Sequence, residues 1–119
     1  MKKRIVGSLS ASLGLALLIT GCMFLGNLNP IASFTVTPGN GTSPLSVDLD
    51  AAESADPDGT IDQYLWDFGD GQTASAIIPT ITHIFTNVQS FSQVFTTILT
   101  VTDNEGATGT AVRNITVNP

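Results

Sequence analysis

The chain has 119 residues, which is the usual length of one domain rather than two. Its four basic and ten acidic residues give a net charge of −6, but three of the basic residues are Lys2, Lys3 and Arg4. The remainder therefore has one base, Arg113, against ten acids, a net charge of −9. This balance excludes most nucleic-acid binding, because affinity for the phosphate backbone comes from Lys and Arg. A hydrophobic content of 42% argues against disorder. One cysteine and one histidine exclude an internal disulfide and a Cys/His zinc site.

The beginning of the chain has the pattern of a secretory signal peptide, with a basic head followed by an uncharged run over residues 5–25. The sequence Leu-Ile-Thr-Gly-Cys at 18–22 resembles a bacterial lipobox. That resemblance implies a helical lipoprotein signal peptide over 1–21, cleavage before Cys22, and acylation of Cys22 with palmitate. It also implies a lipid anchor in the cell membrane or outer membrane, with the rest of the chain on the extracytoplasmic side. The alternative is an uncleaved signal-anchor helix, because the run over residues 5–25 is just long enough to span a bilayer.

Residues 22–28 are predicted to form the lipidated N-terminus and a short tether, and the domain follows over 29–119. From Pro30 onward, apolar and polar residues alternate with a period of two, which is typical of half-buried strands. Turn sequences rich in Gly, Asn, Asp and Pro separate these runs at 38–41, 56–59, 69–71 and 103–106. The pattern predicts one all-β domain, an Ig-like β-sandwich of about seven antiparallel strands. The core-facing positions are Ala32, Phe34, Val36, Leu45, Val47, Leu49, Tyr64, Trp66, Phe68, Ile81, His83, Phe85, Phe95, Thr97, Leu99, Val101, Ile115 and Val117.

The string WDFGDG at 66–71 is similar to the signature of the PKD (polycystic kidney disease) domain family. The resemblance continues in the residues around 30–34, 41–47, 54–64, 79–85 and 99–106, and so covers nearly all of 29–119. It implies that the signature residues maintain the fold: Trp66, Asp67, Phe68, Gly69, Asp70 and Gly71. The chain departs from the family before its penultimate strand, where the usual Gly-x-Tyr is replaced and the loop over 86–93 looks longer. Phe91 lies in this loop without an obvious core position, so we expect it to be exposed.

Catalysis is not expected. Nucleophilic chemistry needs a hydroxyl or thiol with a positioned base, but the only histidine, His83, has the apolar parity of Phe85 and is predicted to be a core residue. Cys22 would be consumed by lipid. The Asp-Phe-Gly at 67–69 also occurs in protein kinases, but the phosphate loop, strand lysine and catalytic loop of a kinase are absent from the sequence.

The sequence requires no cofactor, but it contains a pattern of acidic residues that would suit calcium. Asp56 and Asp58 lie two residues apart in a turn that ends in Gly59, an arrangement that suits a cation with six to eight oxygen ligands. Some PKD-like domains bind calcium near their N-terminus, and that resemblance implies a metal site of Asn27 (or Asn29), Asp56, Asp58 and Asp103. The alternative is that the two aspartates only hydrogen-bond the amides of their turn.

The resemblance implies a non-catalytic module that acts through partners. We expect extracellular protein–protein interaction or adhesion, with the membrane contacted through lipid on Cys22 and no nucleic-acid partner. Polysaccharide binding is the alternative, but it needs exposed aromatic planes, and only Phe91 and Phe24 are free of the predicted strands. A third reading is a structural spacer that calcium stiffens.

The lipid anchor can be tested by metabolic labelling with palmitate. The wild-type chain is expected to incorporate label and Cys22→Ser to incorporate none, because the thiol of Cys22 is the acceptor that the lipobox implies. Label of equal strength on Cys22→Ser would contradict lipidation at this residue.

Overall fold

The computed structural model describes residues 26–119, so the predicted signal peptide and Cys22 lie outside the described residues. No helix within this range is long and apolar enough to cross a membrane. The range contains eight strands in two sheets. The strands are β1 (Thr35–Thr37), β2 (Asn40–Thr42), β3 (Leu45–Asp50), β4 (Ile61–Asp67), β5 (Thr73–Ala76), β6 (Thr80–Phe85), β7 (Gln93–Asp103) and β8 (Thr108–Asn118).

The predicted β-sandwich is confirmed, with a three-stranded sheet in the order β1-β3-β6 and a five-stranded sheet in the order β2-β8-β7-β4-β5. Neighbouring strands are antiparallel except β2, which pairs in parallel with β8. This short strand raises the number above the seven expected. It forms because the chain between β1 and β3 leaves their sheet and runs along the edge of the other one, where Ser43 donates to the carbonyl of Asn118.

The first strand is shorter than the alternation predicted. β1 begins at Thr35, whereas Ile31 makes an isolated bridge with Ala55. Phe34 is nevertheless buried, as its parity indicated. The segment that leads into β1, residues 26–34, is called the incoming chain below. It is thus fixed against the loop after β3 before it enters its own sheet.

Aromatic side chains fill the space between the sheets. Trp66 on β4 is fully buried and meets Phe34 edge to face, with ring centroids 5.2 Å apart. Phe68 stacks on His83 of the opposite sheet at 3.7 Å, and Phe85 packs against Phe95 at 5.3 Å. Each such ring buries roughly 150–250 Å² and dominates the packing energy of a small core.

The strands leave loops at two ends of the sandwich, which differ in charge. The acidic pole consists of residues 26–28, 51–60 and 103–107, and contains Glu53, Asp56, Asp58, Asp103 and Glu105. The second pole, called the uncharged pole for its loops, consists of residues 38–47, 84–97 and 114–119, which include no Asp, Glu, Lys, Arg or His. The turn between β4 and β5 packs beside it on Thr96 and Thr97 and brings Asp70 to its border.

Candidate functional site

Three segments meet at the acidic pole because of the strand order. The loop over 51–60 follows the end of β3, and the turn over 103–107 joins β7 to β8. The incoming chain is held beside them by Ile31 and Ala55, whose amides and carbonyls exchange hydrogen bonds of 2.7 and 3.0 Å. Residues that are far apart in sequence therefore face one another at this end.

Two of the four predicted metal-site residues, Asn27 and Asp103, are joined by a hydrogen bond at this pole. The side-chain amide Nδ2 of Asn27 donates to Oδ2 of Asp103 at 2.7 Å. The backbone amide of Leu28 donates to Oδ2 of Asp58 at 2.9 Å. Of the two asparagines that the sequence offered, Asn27 is therefore the one that reaches Asp103. Asp58 binds the incoming chain rather than an amide of its own turn.

Asp56 differs from its neighbours because both of its carboxylate oxygens are buried without a hydrogen-bond partner in the described residues. The oxygen Oδ1 of Asn27 is in the same condition. Burial raises the pKa of Asp56 above its ordinary value, and the neighbouring carboxyl groups of Asp58 and Asp103 raise it further. An oxygen that is shielded from water and lacks a donor is an available ligand for a cation.

Asp103 is buried, but its carboxylate accepts hydrogen bonds at both oxygens. Burial acts to raise its pKa, but the hydrogen bond from Asn27 and those from backbone amides outweigh it, so the pKa of Asp103 lies below its ordinary value. Two of these amides, those of Glu105 and Ala107, donate to Oδ1 at 2.9 and 2.8 Å. Asp103 is therefore held as a carboxylate beside the incoming chain.

Gly59 and Asn104 complete the walls of this site, and sequence reasoning missed the second. A methyl group on Gly59 would approach Oδ2 of Asp56 to 2.7 Å and collide with Oδ1 of Asn104. Asn104 accepts the amide of Thr60 at 3.2 Å through this same oxygen. The only signal for Asn104 in the sequence was its place directly after Asp103 in the turn.

The donor set suits a hard cation but is sparse. Within residues 26–119, no group of three or more acidic, histidine or cysteine side chains is gathered closely enough to hold a metal ion. The residues that would hold an ion here are Asp56 and Asn27, through oxygens that lack a partner. Asp58 and Asp103 are the other carboxylates at this pole, and their oxygens already accept hydrogen bonds. Carboxylate and amide oxygens are the ligands that calcium takes in proteins, and two of the residues offer oxygens that nothing else occupies.

The signature residues and His83 have structural roles. Asp67 accepts the amide of Gly69 at 3.0 Å, and Asp70 accepts that of Gln72 at 3.0 Å, so each closes its own turn. The carboxylate of Asp70 also contacts Nε2 of His83 at 2.7 Å, and both side chains are nearly buried. The hydrogen bond of His83 and its stacking on Phe68 agree with the predicted core histidine.

The family model described as PKD domain matches residues 27–117. The chain is 38% identical over 92 residues to the pre-pro-metalloprotease PrtV of Vibrio cholerae, and 37% identical over 73 residues to the microbial collagenase of Vibrio alginolyticus. These matches cover 77% and 61% of this chain but only 9% and 8% of the relatives, so the chain spans less than a tenth of their length.

Two solved structures extend the comparison. The PKD1 domain of the Vibrio cholerae metalloprotease PrtV is 34% identical, with a TM-score of 0.61, over 77% of this chain and 100% of that domain. A structure described as concerning carbohydrate-binding modules of the β-sandwich superfamily is 38% identical, with a TM-score of 0.71, over 77% of this chain and 35% of that one.

Asp56→Asn is expected to raise the melting temperature at pH 7 in the presence of chelator. The raised pKa means that ionisation of Asp56 destabilises the folded state. That destabilisation is complete above the raised pKa and disappears as the pH falls below the ordinary aspartate value of about 3.9. The gain from Asp56→Asn should therefore shrink as the pH is lowered through this window.

Asp62→Asn is the matched control, because Asp62 is exposed and its substitution removes the same charge. In thermal melts recorded between pH 4 and pH 7, the melting temperature of Asp56→Asn should exceed that of Asp62→Asn, and the difference should grow with pH. Equal gains for both would mean that net charge, and not the buried carboxylate, is responsible.

Proposed function

Because the chain belongs to the PKD domain family, we propose that it is a non-catalytic module of the cell envelope that binds another protein. It is held at the membrane by lipid on Cys22 and stabilised by calcium at the acidic pole. The observation that carries the proposal is the contrast between the two poles. One pole gathers carboxylates around the incoming chain, and the other displays apolar side chains on the loop over residues 86–92, which contains no charged residue.

Asn27, Asp56, Asp58 and Asp103 are the residues that would hold calcium. Bound calcium would supply positive charge that offsets the repulsion among the three carboxylates. Because Asn27 and Leu28 already hydrogen-bond to Asp103 and Asp58, the site would fasten the last residues of the predicted tether to the domain. An extracellular site of this kind has a Kd on the order of 10⁻⁴–10⁻³ M.

The uncharged pole supports the binding of a protein. Val88 and Phe91 are 82% and 62% exposed on the loop between β6 and β7. The loop is held in place by the buried Asn87, whose Nδ2 donates to the carbonyls of Phe91 and Val117 at 2.8 Å each. Apolar side chains on a fixed loop lose little conformational freedom when they are buried by a partner, which favours binding.

Polysaccharide binding is the second candidate. It is favoured by the similarity to the structure that concerns carbohydrate-binding modules and by the exposure of Phe91, whose ring could stack on a sugar. Phe91 is the one aromatic residue among the exposed large hydrophobics of residues 26–119. A single ring is a small platform, so we rank this function below protein binding.

Calcium is expected to raise the free energy of unfolding by about 1.4 kcal/mol when its concentration is ten times the Kd. Asp56→Ala should abolish this gain, whereas Asp62→Ala should retain it. Calcium affinity should also fall as the pH is lowered through the raised pKa of Asp56, because protons compete for the same oxygens. Thermal melts with calcium and with chelator measure both effects. An unchanged wild-type melting temperature at millimolar calcium would contradict the site.

Phe91→Ala is expected to weaken partner binding at least tenfold, which corresponds to about 1.4 kcal/mol. Ile31→Ala is the matched control, since Ile31 has the same 62% exposure but lies near the acidic pole. The measurement is recovery of envelope proteins on the immobilised full chain carrying Cys22→Ser, alongside a glycan array. Sugar binding that requires Phe91 without any protein partner would favour the second candidate, and equal recovery by both variants would contradict a role for the loop.

A further inference from the structure

Strand β6 forms an unprotected edge of the three-stranded sheet. It pairs with β3 on one side only, over all six of its residues. The other edge strands are short, since β1 and β2 have three residues each and β5 has four. Natural sheets usually block an exposed edge with charge, proline or brevity, and β6 has none of these devices within Thr80–Phe85.

The hydrogen bonding of β3 determines which backbone groups of β6 face outward. Ala51 donates to the carbonyl of Pro79 at 2.9 Å, so residues 51 and 79 form a hydrogen-bonded pair. Such pairs alternate along an antiparallel ladder, and Ile81, His83 and Phe85 therefore direct their amides and carbonyls toward β3. The amides and carbonyls of Thr80, Thr82 and Ile84 point away from it. Within residues 26–119, no hydrogen bond reaches these outward groups.

The side chains along this edge are uncharged in a strongly acidic domain. Thr80, Thr82 and Ile84 are exposed on the outer face of the sheet. They belong to a stretch of the chain, 71–102, that contains no Asp, Glu, Lys or Arg. The described residues as a whole include one basic and ten acidic side chains. The edge is thus a place where another acidic molecule can approach without facing like charge directly.

We propose that β6 binds β6 of a second copy of this chain, antiparallel and around a two-fold axis through Thr82. In this register Thr82 pairs with the partner's Thr82, and Thr80 pairs with the partner's Ile84. Every outward amide and carbonyl of one strand then meets its complement on the other, which a shifted register does not achieve. The two three-stranded sheets join into one continuous sheet, and β-branched side chains face each other across the junction, as favoured in sheets.

The nearest carboxylates do not oppose this pairing strongly. Asp48 and Asp50 lie on β3, one strand away from the edge, and Asp48 already accepts the hydroxyl of Thr82 at 2.7 Å. The two β3 strands of the pair would be about 14 Å apart, three interstrand spacings. The Asp48 carboxylates would lie closer together than their strands because each reaches Thr82, but they are exposed to solvent on the outer face, where ions screen their repulsion over about 8 Å.

Single cysteines test the register in the full chain carrying Cys22→Ser. Thr82→Cys lies on the two-fold axis, where the two α-carbons are about 5.5 Å apart, a distance that a disulfide spans. Ile84→Cys is the matched control on the same strand, because its two copies would be about 14 Å apart. Both positions are exposed, so the melting temperatures of the two variants should be close to that of the wild type.

Under mild oxidation, Thr82→Cys is expected to form a covalent dimer at least tenfold faster than Ile84→Cys. Thr80→Cys combined with Ile84→Cys should also cross-link. Sedimentation equilibrium of the chain without added cysteines should give a mass that rises with concentration from 12.4 kDa to twice that value. Equal cross-linking of the two single variants, cross-linking of neither, or a monomer at every concentration would overturn the proposal. An added extended peptide that binds the edge of β6 should compete with dimerisation. If such a peptide binds there and the amount of dimer is unchanged, the proposal is overturned as well.

Discussion

The burial of Trp66 between the two sheets is the constraint on which the remaining structure depends. Its ring is fully buried, it meets Phe34 edge to face, and its strand β4 lies inside the five-stranded sheet between β7 and β5. To enclose a side chain of that size, both sheets must keep one parity predominantly apolar. Residues of the opposite parity, such as Leu65 and Asp67, consequently face outward. The few polar side chains on the core faces are paired, as in Thr97 and the His83–Asp70 contact, and most polar side chains lie on the outer faces and in the loops.

This distribution of polar side chains explains why the two poles can differ without altering the core. Most residues of the loops at the ends of the sandwich lie outside the cluster of hydrophobic side chains between the sheets, so their sequences are free to serve other purposes. At the acidic pole the loops collect carboxylates, and hydrogen bonds from Asn27 and Leu28 tie the incoming chain to them. At the uncharged pole the buried Asn87 uses its side chain to fix a loop whose apolar residues remain outside.

The sequence predicted what depends on local period and turn chemistry. Alternation identified the core aromatic residues, and the resemblance to a known family grouped Asn27 with Asp56, Asp58 and Asp103, of which the structure joins Asn27 and Asp103 directly. The contact of Leu28 with Asp58 joins residues 30 positions apart, and that of Asn27 with Asp103 joins residues 76 apart. Such contacts depend on where the incoming chain crosses the loops, which no local pattern encodes. For the same reason the parallel strand β2 and the open edge of β6 became apparent only from the strand order.

The unpartnered carboxylate of Asp56 concerns the attachment of the incoming chain to the acidic pole and not the packing of the core. Its carboxylate is buried without a donor, and Oδ1 of Asn27 is equally without one, although neither residue belongs to the cluster of hydrophobic side chains between the sheets. A proton can relieve only the carboxylate, whereas a cation such as calcium takes both carboxylate and amide oxygens as ligands. An ion with extracellular affinity contributes little against a total stability of about 5–15 kcal/mol. Its main effect would therefore be local, because it would order the incoming chain at the acidic pole. The core around Trp66 holds the sandwich together with or without the ion.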